Sequence, residues 1–276
     1  MSMGSTSGKK KSRVTIKDVA TAAEVSIATV SYVLNNTPGQ SISEDTRKKV
    51  LQFANLLGYE CNVMAKYLAS GKSNTISVLI KDVKPFAAQY YMKLLTELSR
   101  LLWRQNLGLK IVDYSDGFKR NTDCDAYITV ALTEKEFREF ADTKYMPVIA
   151  IDSVFDDFLF YRINDDYETM YKTAKAETGM DKVVLLAFEL PEEVFRSAAA
   201  VFDEVKTVNS LCDLYELDSQ TCYVTLSSAI YDSIPKSQNI RLQSSSFALK
   251  ASAAADAVAK AIGRIQSPSE EHNIRV

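Results

Sequence analysis

Residues 14–58 constrain the fold more than any other stretch, because they hold three helix starts and three apolar stripes with almost no spare sequence between them. Thr15 precedes Ile16, Lys17 and Asp18, which puts a capping hydroxyl ahead of a first-turn carboxylate. Ile16, Val19 and Ala20 form the first apolar stripe. Val25 falls in a tight turn, and Ser26 is placed to cap a second helix over Ile27–Leu34. In that helix Val30, Val33 and Leu34 face one way, leaving Ala28, Thr29 and Tyr32 exposed. Asn35, Asn36, Thr37, Pro38 and Gly39 read as a loop. Ser43 opens a third helix with Glu44, Asp45 and Thr46 in its first turn. Val50, Leu51, Ala54 and Leu57 supply its apolar face, and Gly58 stops it. Three short helices, the second entered through a tight turn and carrying small exposed residues, predict a helix-turn-helix. The helical pattern alone also fits a generic three-helix bundle.

Charge distribution bears on that choice. The chain has 276 residues and a net charge of −2, with 33 Lys and Arg against 35 Asp and Glu. Residues 1–75 carry ten Lys and Arg against five Asp and Glu, leaving 23 against 30 beyond them. A basic head on an acidic body suggests that only the head meets a polyanion. Residues 1–12 are small, polar and basic. They read as a disordered tail in which Lys9, Lys10 and Lys11 can add phosphate contacts. Residues 62–69 allow one or two further helical turns, too few to be stable without a partner surface such as DNA or a second subunit.

After Ser73 the pattern changes to alternating strands and helices. Strands are expected at 75–80, 109–114, 126–130, 148–151, 183–187, 222–226 and around Ile240. Helices are expected at 90–103, 166–178 and from about Ala248 to Ile265, the last because of its run of alanines. This alternation predicts a parallel α/β body.

Several function classes lack support. The four cysteines (Cys61, Cys124, Cys212 and Cys222) lie far apart without CxxC spacing and read as reduced thiols. With His272 the only histidine, neither a histidine-based catalytic site nor a metal site is expected. No GxGxxG follows the first strand and no Walker-type phosphate loop occurs, so no cofactor is expected. No stretch of 18 apolar residues occurs, and the expectation is a soluble, cytosolic chain without a membrane partner.

The segment VTIKDVATAAEVSIATVSYVLN, residues 14–35, resembles the DNA-binding head of the lactose-repressor (LacI/GalR) family. The resemblance continues through SISEDTRKKVLQFANLLGYECNVMAKYLASGKSNTISVLI, residues 41–80. Beyond it, Lys84, Pro85 and Phe86 stand where the family has a Pro-Phe element, and Asp165, Asp166 and Tyr167 stand for its Asp-Asn-Tyr segment. The resemblance implies an all-α helix-turn-helix head joined by a hinge helix to an α/β periplasmic-binding-protein-like core of two subdomains with parallel sheets. The expected bounds are a tail at 1–12, a head at 13–60, a hinge and linker at 61–73 and a core at 74–276.

It also implies a regulator, a repressor by analogy, that binds a double-stranded, pseudo-palindromic DNA operator as a homodimer. Ile27, Ala28 and Thr29 open the recognition helix, where Ala28 offers a methyl suited to a thymine methyl. Ser31 and Asn35 match positions suited to phosphate or helix-end contacts, as do the hydroxyls of Thr15 and Thr46. Tyr32 replaces the arginine usual at its position, so the operator should depart from the family's consensus, unless the ring merely packs against backbone. Leu68, with Ala65 as its small neighbour, matches the residue the family wedges into the minor groove, although an exposed leucine there also suits subunit packing.

For the core the resemblance implies a cleft for a small-molecule effector lined by Phe86, Tyr90, Asp152, Asp165 and Arg196. Here the sequence departs from the pattern. Ser227, Ser228 and Ser244 occupy positions where the family carries an Asn-Asp pair and a further Asp, and Ala199 replaces a glycine. Serines shorten the reach and remove charge, so an ordinary free sugar is not expected to bind in the family manner. A core serving only as a dimerisation or protein-docking scaffold is the alternative reading. An α/β enzyme is a remote one.

Overall fold

The computed structural model describes residues 14–34, 39–59, 73–81, 83–117, 124–235, 239–265 and 268–276. The chain divides into two compact units, Met1–Gly71 and Lys72–Val276.

In the first unit, helices α1 (Ile16–Ala23), α2 (Ile27–Leu34) and α3 (Glu44–Leu56) surround one small core of Val19, Ala20, Ala23, Val30, Val33, Val50 and Ala54. Leu51 departs from expectation: it is 48% exposed, and Phe53 and Leu57 fill the space beside Ala54 instead. The expected stop at Gly58 is present, with φ +66°, a conformation that suits a residue without Cβ. Residues 60–72, with the predicted hinge helix, lie outside the described residues.

The second unit runs β1 (Thr75–Ile80), α4 (Pro85–Arg104), β2 (Gly108–Asp113), a single turn at Tyr114–Gly117, β3 (Ala126–Val130), α5 (Glu134–Ala141), β4 (Val148–Ile151), β5 (Tyr161–Asn164) and α6 (Tyr167–Thr178). It continues with β6 (Val183–Ala187), α7 (Glu192–Ala199), β7 (Glu204–Thr207), a 3₁₀ turn at Leu211–Leu214, β8 (Cys222–Thr225), α8 (Ser228–Asp232), β9 (Ile240–Leu242), α9 (Ser246–Ile262), a 3₁₀ turn at Ser269–His272 and β10 (Asn273–Arg275). Two sheets result, ordered β10-β5-β4-β3-β1-β2 and β7-β6-β8-β9, and every pairing is parallel. The second sheet is thus an insertion between β5 and the strand that later pairs with it.

Helix α4 begins five residues before its expected start, because Pro85 at its first position has φ preset for a helix and needs no backbone hydrogen-bond partner there. Its face of Ala87, Tyr90, Tyr91, Leu94, Leu98 and Leu102 packs along α9, whose alanines allow close approach. One apolar core therefore runs from Ile76 and Val78 of the first sheet to Val183 and Leu185 of the second. A second cluster lies on the other side of the first sheet, where Tyr127 and Val148 meet Phe137 and Phe140 of α5.

Candidate DNA interface and effector cleft

In the head, local hydrogen bonds set the angle at which α2 leaves the turn. The Asp18 carboxylate accepts from the Thr15 backbone N–H at 2.7 Å and from its hydroxyl at 2.8 Å, and these bonds hold the carboxyl below its usual range. Glu24 then takes a left-handed conformation with φ 53°, and the Val25 N–H returns to the Ala20 carbonyl at 3.0 Å. Ser26 accepts from the Thr29 N–H at 3.0 Å, which caps α2 as the sequence predicts. Lys49 of α3 reaches Glu24 at 2.9 Å and ties the turn to the third helix.

Burial of Val30 and Val33 leaves the opposite side of α2 to solvent. Ile27 is 45% exposed and Tyr32 37%, Ala28 is also exposed, and Thr29 and Ser31 are half-buried. The expected base-reading residues thus share the N-terminal and outer surface of one helix. The hydroxyl of Thr15 is turned to Asp18, and that of Thr46 lies 2.8 Å from the Ser43 hydroxyl, so each has an internal partner as well as an exposed or half-exposed position. Asn35, Ala65 and Leu68 lie outside the described residues.

In the core, the decisive residue is one that the pattern of acids and arginines does not single out. Lys250 of α9 is fully buried, and its ammonium lies 2.5 Å from Asp152 Oδ1 and 2.5 Å from Asp165 Oδ2. Ser246, one turn earlier, donates to Asp165 Oδ1 at 2.5 Å and lies 2.8 Å from the Tyr90 hydroxyl. Burial opposes the ammonium, but the Asp152 and Asp165 charges outweigh it and hold Lys250 well above its ordinary pKa. Two carboxylates share that one cation. Burial, with Asp165 close by, pushes Asp152 up despite Lys250.

The two sheets also meet directly beside this cluster. Ser227 caps α8 and donates to the Phe86 carbonyl at 3.4 Å. Lys93 of α4 donates to Ser228 at 2.6 Å, and Lys84 lies 3.3 Å from Glu189. What remains open at the carboxyl ends of β1 and β3 is a pocket of about 280 Å³, lined by Lys81, Val83, Lys84, Ala131 and Thr133 on one side and by Glu189, Leu190, Pro191 and Glu192 on the other.

Residues 15–62 match the model of the family described as bacterial regulatory proteins, lacI family. Catabolite control protein A of Streptococcus mutans is 29% identical over 69% of this chain and 56% of its own length. The regulator GalS of Salmonella typhimurium is 36% identical over 47% of this chain and 40% of its own. The lac repressor bound to ONPG in the repressed state superimposes over 96% of this chain and 97% of its own, with a TM-score of 0.63 at 16% identity. Over residues 15–62 the chain carries a head of the lacI family. Its head carries the strongest sequence likeness, whereas the likeness to the lac repressor is one of fold. The chain spans about half the length of the curated relatives it matches.

In the core, the five expected effector residues do not form one open site. Tyr90, Asp152 and Asp165 come together but are buried; Ser246 and Lys250 engage Tyr90, both Asp165 oxygens and Asp152 Oδ1, while Asp152 Oδ2 is buried without a hydrogen-bond partner. Phe86 is half-buried against the apolar cores on both sides of the second sheet. Arg196 is solvent-exposed on α7, paired with Glu192 at 3.1 Å along the helix. Sequence reasoning missed Lys250 because the alanines around it dominate the pattern. The signal was present nonetheless: Ser246, Lys250, Ala254 and Ala257 recur at helical spacing, and a lysine on that buried stripe requires a carboxylate partner.

Proposed function

We propose that this chain is a sequence-specific, DNA-binding transcriptional regulator, a repressor, which grips a pseudo-palindromic operator as a homodimer. The observation that carries the reading is the exposed row Ile27, Ala28 and Tyr32 on α2, a helix held by the turn at Glu24 and the Ser26 cap. Placed in a major groove, that row meets base edges, while Thr15 and Thr46 face phosphates near helix starts. Leu68 and Ala65 then serve as the minor-groove wedge. Dimerisation is supported by apolar residues left in water on the first sheet's outer helix and edge strand: Met92 at 62% and Trp103 at 77% on α4, and Ile111 at 54% on β2.

The core in this reading does not accept an ordinary free sugar, because the two carboxylates that would hold its hydroxyls are buried and neutralised by Lys250. Such a core is a dimerisation scaffold, or takes a ligand of other chemistry. No described helix is long and apolar enough to cross a membrane.

A salt-titrated binding assay on selected duplexes, combined with sedimentation equilibrium, tests the main reading. The expected result is a dimer on DNA whose affinity falls steeply with salt. A monomer on DNA, or salt-independent binding, overturns it. Leu68→Ala should abolish DNA bending and lower operator affinity together, and hydrogen exchange across residues 62–69 should show protection only with DNA bound. A calorimetric screen of mono- and disaccharides should find no ligand, and a sugar bound with micromolar affinity that weakens operator binding would restore the sugar-induced repressor reading.

A further inference from the structure

Strands β5 and β10 are parallel neighbours in which Asn273 is the register partner of Arg162, and Arg275 that of Asn164. Residues two apart on a strand share a face. Two arginines and two asparagines therefore form a square of polar side chains on one face of this strand pair, while Ile163 and Ile274 point the other way, toward the apolar core. The square forms part of the lining of a pocket of about 250 Å³, which Ser197, Ala200 and Val201, at and just beyond the end of α7, border from the other side. Lys81, Lys84 and Arg196 are not part of it, so it is separate from the pocket at the ends of β1 and β3.

The chemistry of this lining is incomplete. Asn164, 8% exposed, donates through Nδ2 to the Ser153 carbonyl, but its Oδ1 is buried without a partner. The Arg162 Nε is likewise buried and unpartnered, although its guanidinium donates to the Phe155 carbonyl and lies over the Phe155 ring at 5.5 Å. The hydroxyl of Tyr167, another lining residue, is a third such atom. Unpartnered buried polar atoms are costly, and three of them cluster among the residues of this one pocket.

The charges define which kind. Of the acids in the lining, Asp165 is paired with Lys250 and Glu168 with Lys172, whereas neither Arg162 nor Arg275 forms an ion pair among the described residues; the charge of Arg275 adds only to the Thr169 hydrogen bonds that hold Asp166 below its usual range. We propose that this pocket binds a small hydroxylated organic anion, its carboxylate or phosphate held by Arg162 and Arg275 and its hydroxyls by Asn164 and Asn273. Arginine forks suit planar or tetrahedral oxyanions, and an asparagine amide offers both a donor and an acceptor to a hydroxyl. The proposal goes beyond the DNA-binding reading and does not depend on it.

Calorimetry on the full chain at low ionic strength tests it, with inorganic phosphate and L-malate as probes and glycerol as the neutral polyol. Saturable binding of at least one anion and none of glycerol is expected. Affinity should fall at least tenfold in Arg275→Gln and several-fold in Asn273→Ala, both changes at exposed positions that leave the buried core intact. Lys84→Gln, in the other pocket, should change nothing. Absence of saturable anion binding overturns the proposal, as does binding that survives Arg275→Gln or is lost in Lys84→Gln. Operator affinity, measured separately, reports on the DNA reading alone.

Discussion

The two units handle polar groups in opposite ways. Among the described residues the head fully buries only apolar side chains and leaves its hydroxyls, Tyr32 and its charges exposed or half-exposed, where their hydrogen bonds are short-range caps and turns. The core instead buries a lysine and two aspartates among tyrosines. A surface built from caps can change what it reads by altering one exposed side chain, with little effect on stability. A buried charge cluster cannot be altered piecemeal, because removing one member strands the others without water. The head's chemistry is open to a partner, while Asp152 and Asp165 are shut away from solvent and neutralised from within by Lys250.

The largest test of this contrast is Lys250→Met, which leaves two carboxylates facing each other in the core. A loss of about 3–5 kcal/mol is expected in chemical denaturation, confined to the core's transition. Adding Asp152→Asn and Asp165→Asn should recover much of it. If Lys250→Met is neutral, the cluster is not the internal clamp described here.

On the head, Tyr32→Ala should leave stability nearly unchanged while lowering discrimination between operator and random duplex by about 1–3 kcal/mol, the usual cost of losing one base contact. Equal weakening on all sequences would instead make Tyr32 a packing or phosphate-contacting residue. Ser26→Ala removes the cap of α2 and should cost the head about 1 kcal/mol, read from its own thermal transition, with the core's transition unmoved.

The smallest expected effect concerns pH. Because Asp152 is raised in the folded state, its burial cost is absent below the ordinary aspartate pKa of 3.8 and develops as pH rises through and above that value. The stability of Asp152→Asn relative to the parent should therefore increase from pH 3 toward neutrality. Asp18 in the head is lowered, so its contribution is complete above 3.8 and disappears as the medium becomes more acid. Asp18→Asn should accordingly be most damaging near neutral pH and nearly harmless in strong acid. The reverse order of these two pH dependences would contradict the contrast between the units.

Much of the head was legible in advance because its determinants are local. Ser26 and Ser43 cap helices within three residues, Asp18 reaches back to Thr15 over the same distance, and Gly58 ends a helix with its own backbone. The central strands of the core were legible for the same reason, as buried β-branched runs. Strands β5, β7 and β10 were not. They have three or four residues each and carry Arg162, Lys206 and Arg275, so their pairing depends on distant neighbours and not on their own composition. The candidate effector residues illustrate the same limit. Family position groups Tyr90, Asp152 and Asp165, which do lie together, but gives no sign of the Lys250 that engages the two acids from 98 and 85 residues away.

That separation has a consequence for how the chain is made. Asp152 and Asp165 leave the ribosome, as does strand β5, well before α9 and β10 exist to neutralise and cover them. The first sheet must therefore wait, hydrated at one corner, while the whole second sheet is synthesised. The head has no such debt to later sequence among its described contacts, and a domain whose contacts are local folds early. A nascent chain halted before residue 246 would then present a finished head on an unfinished core, with a pair of acids still in water where the complete protein keeps its most deeply buried charges.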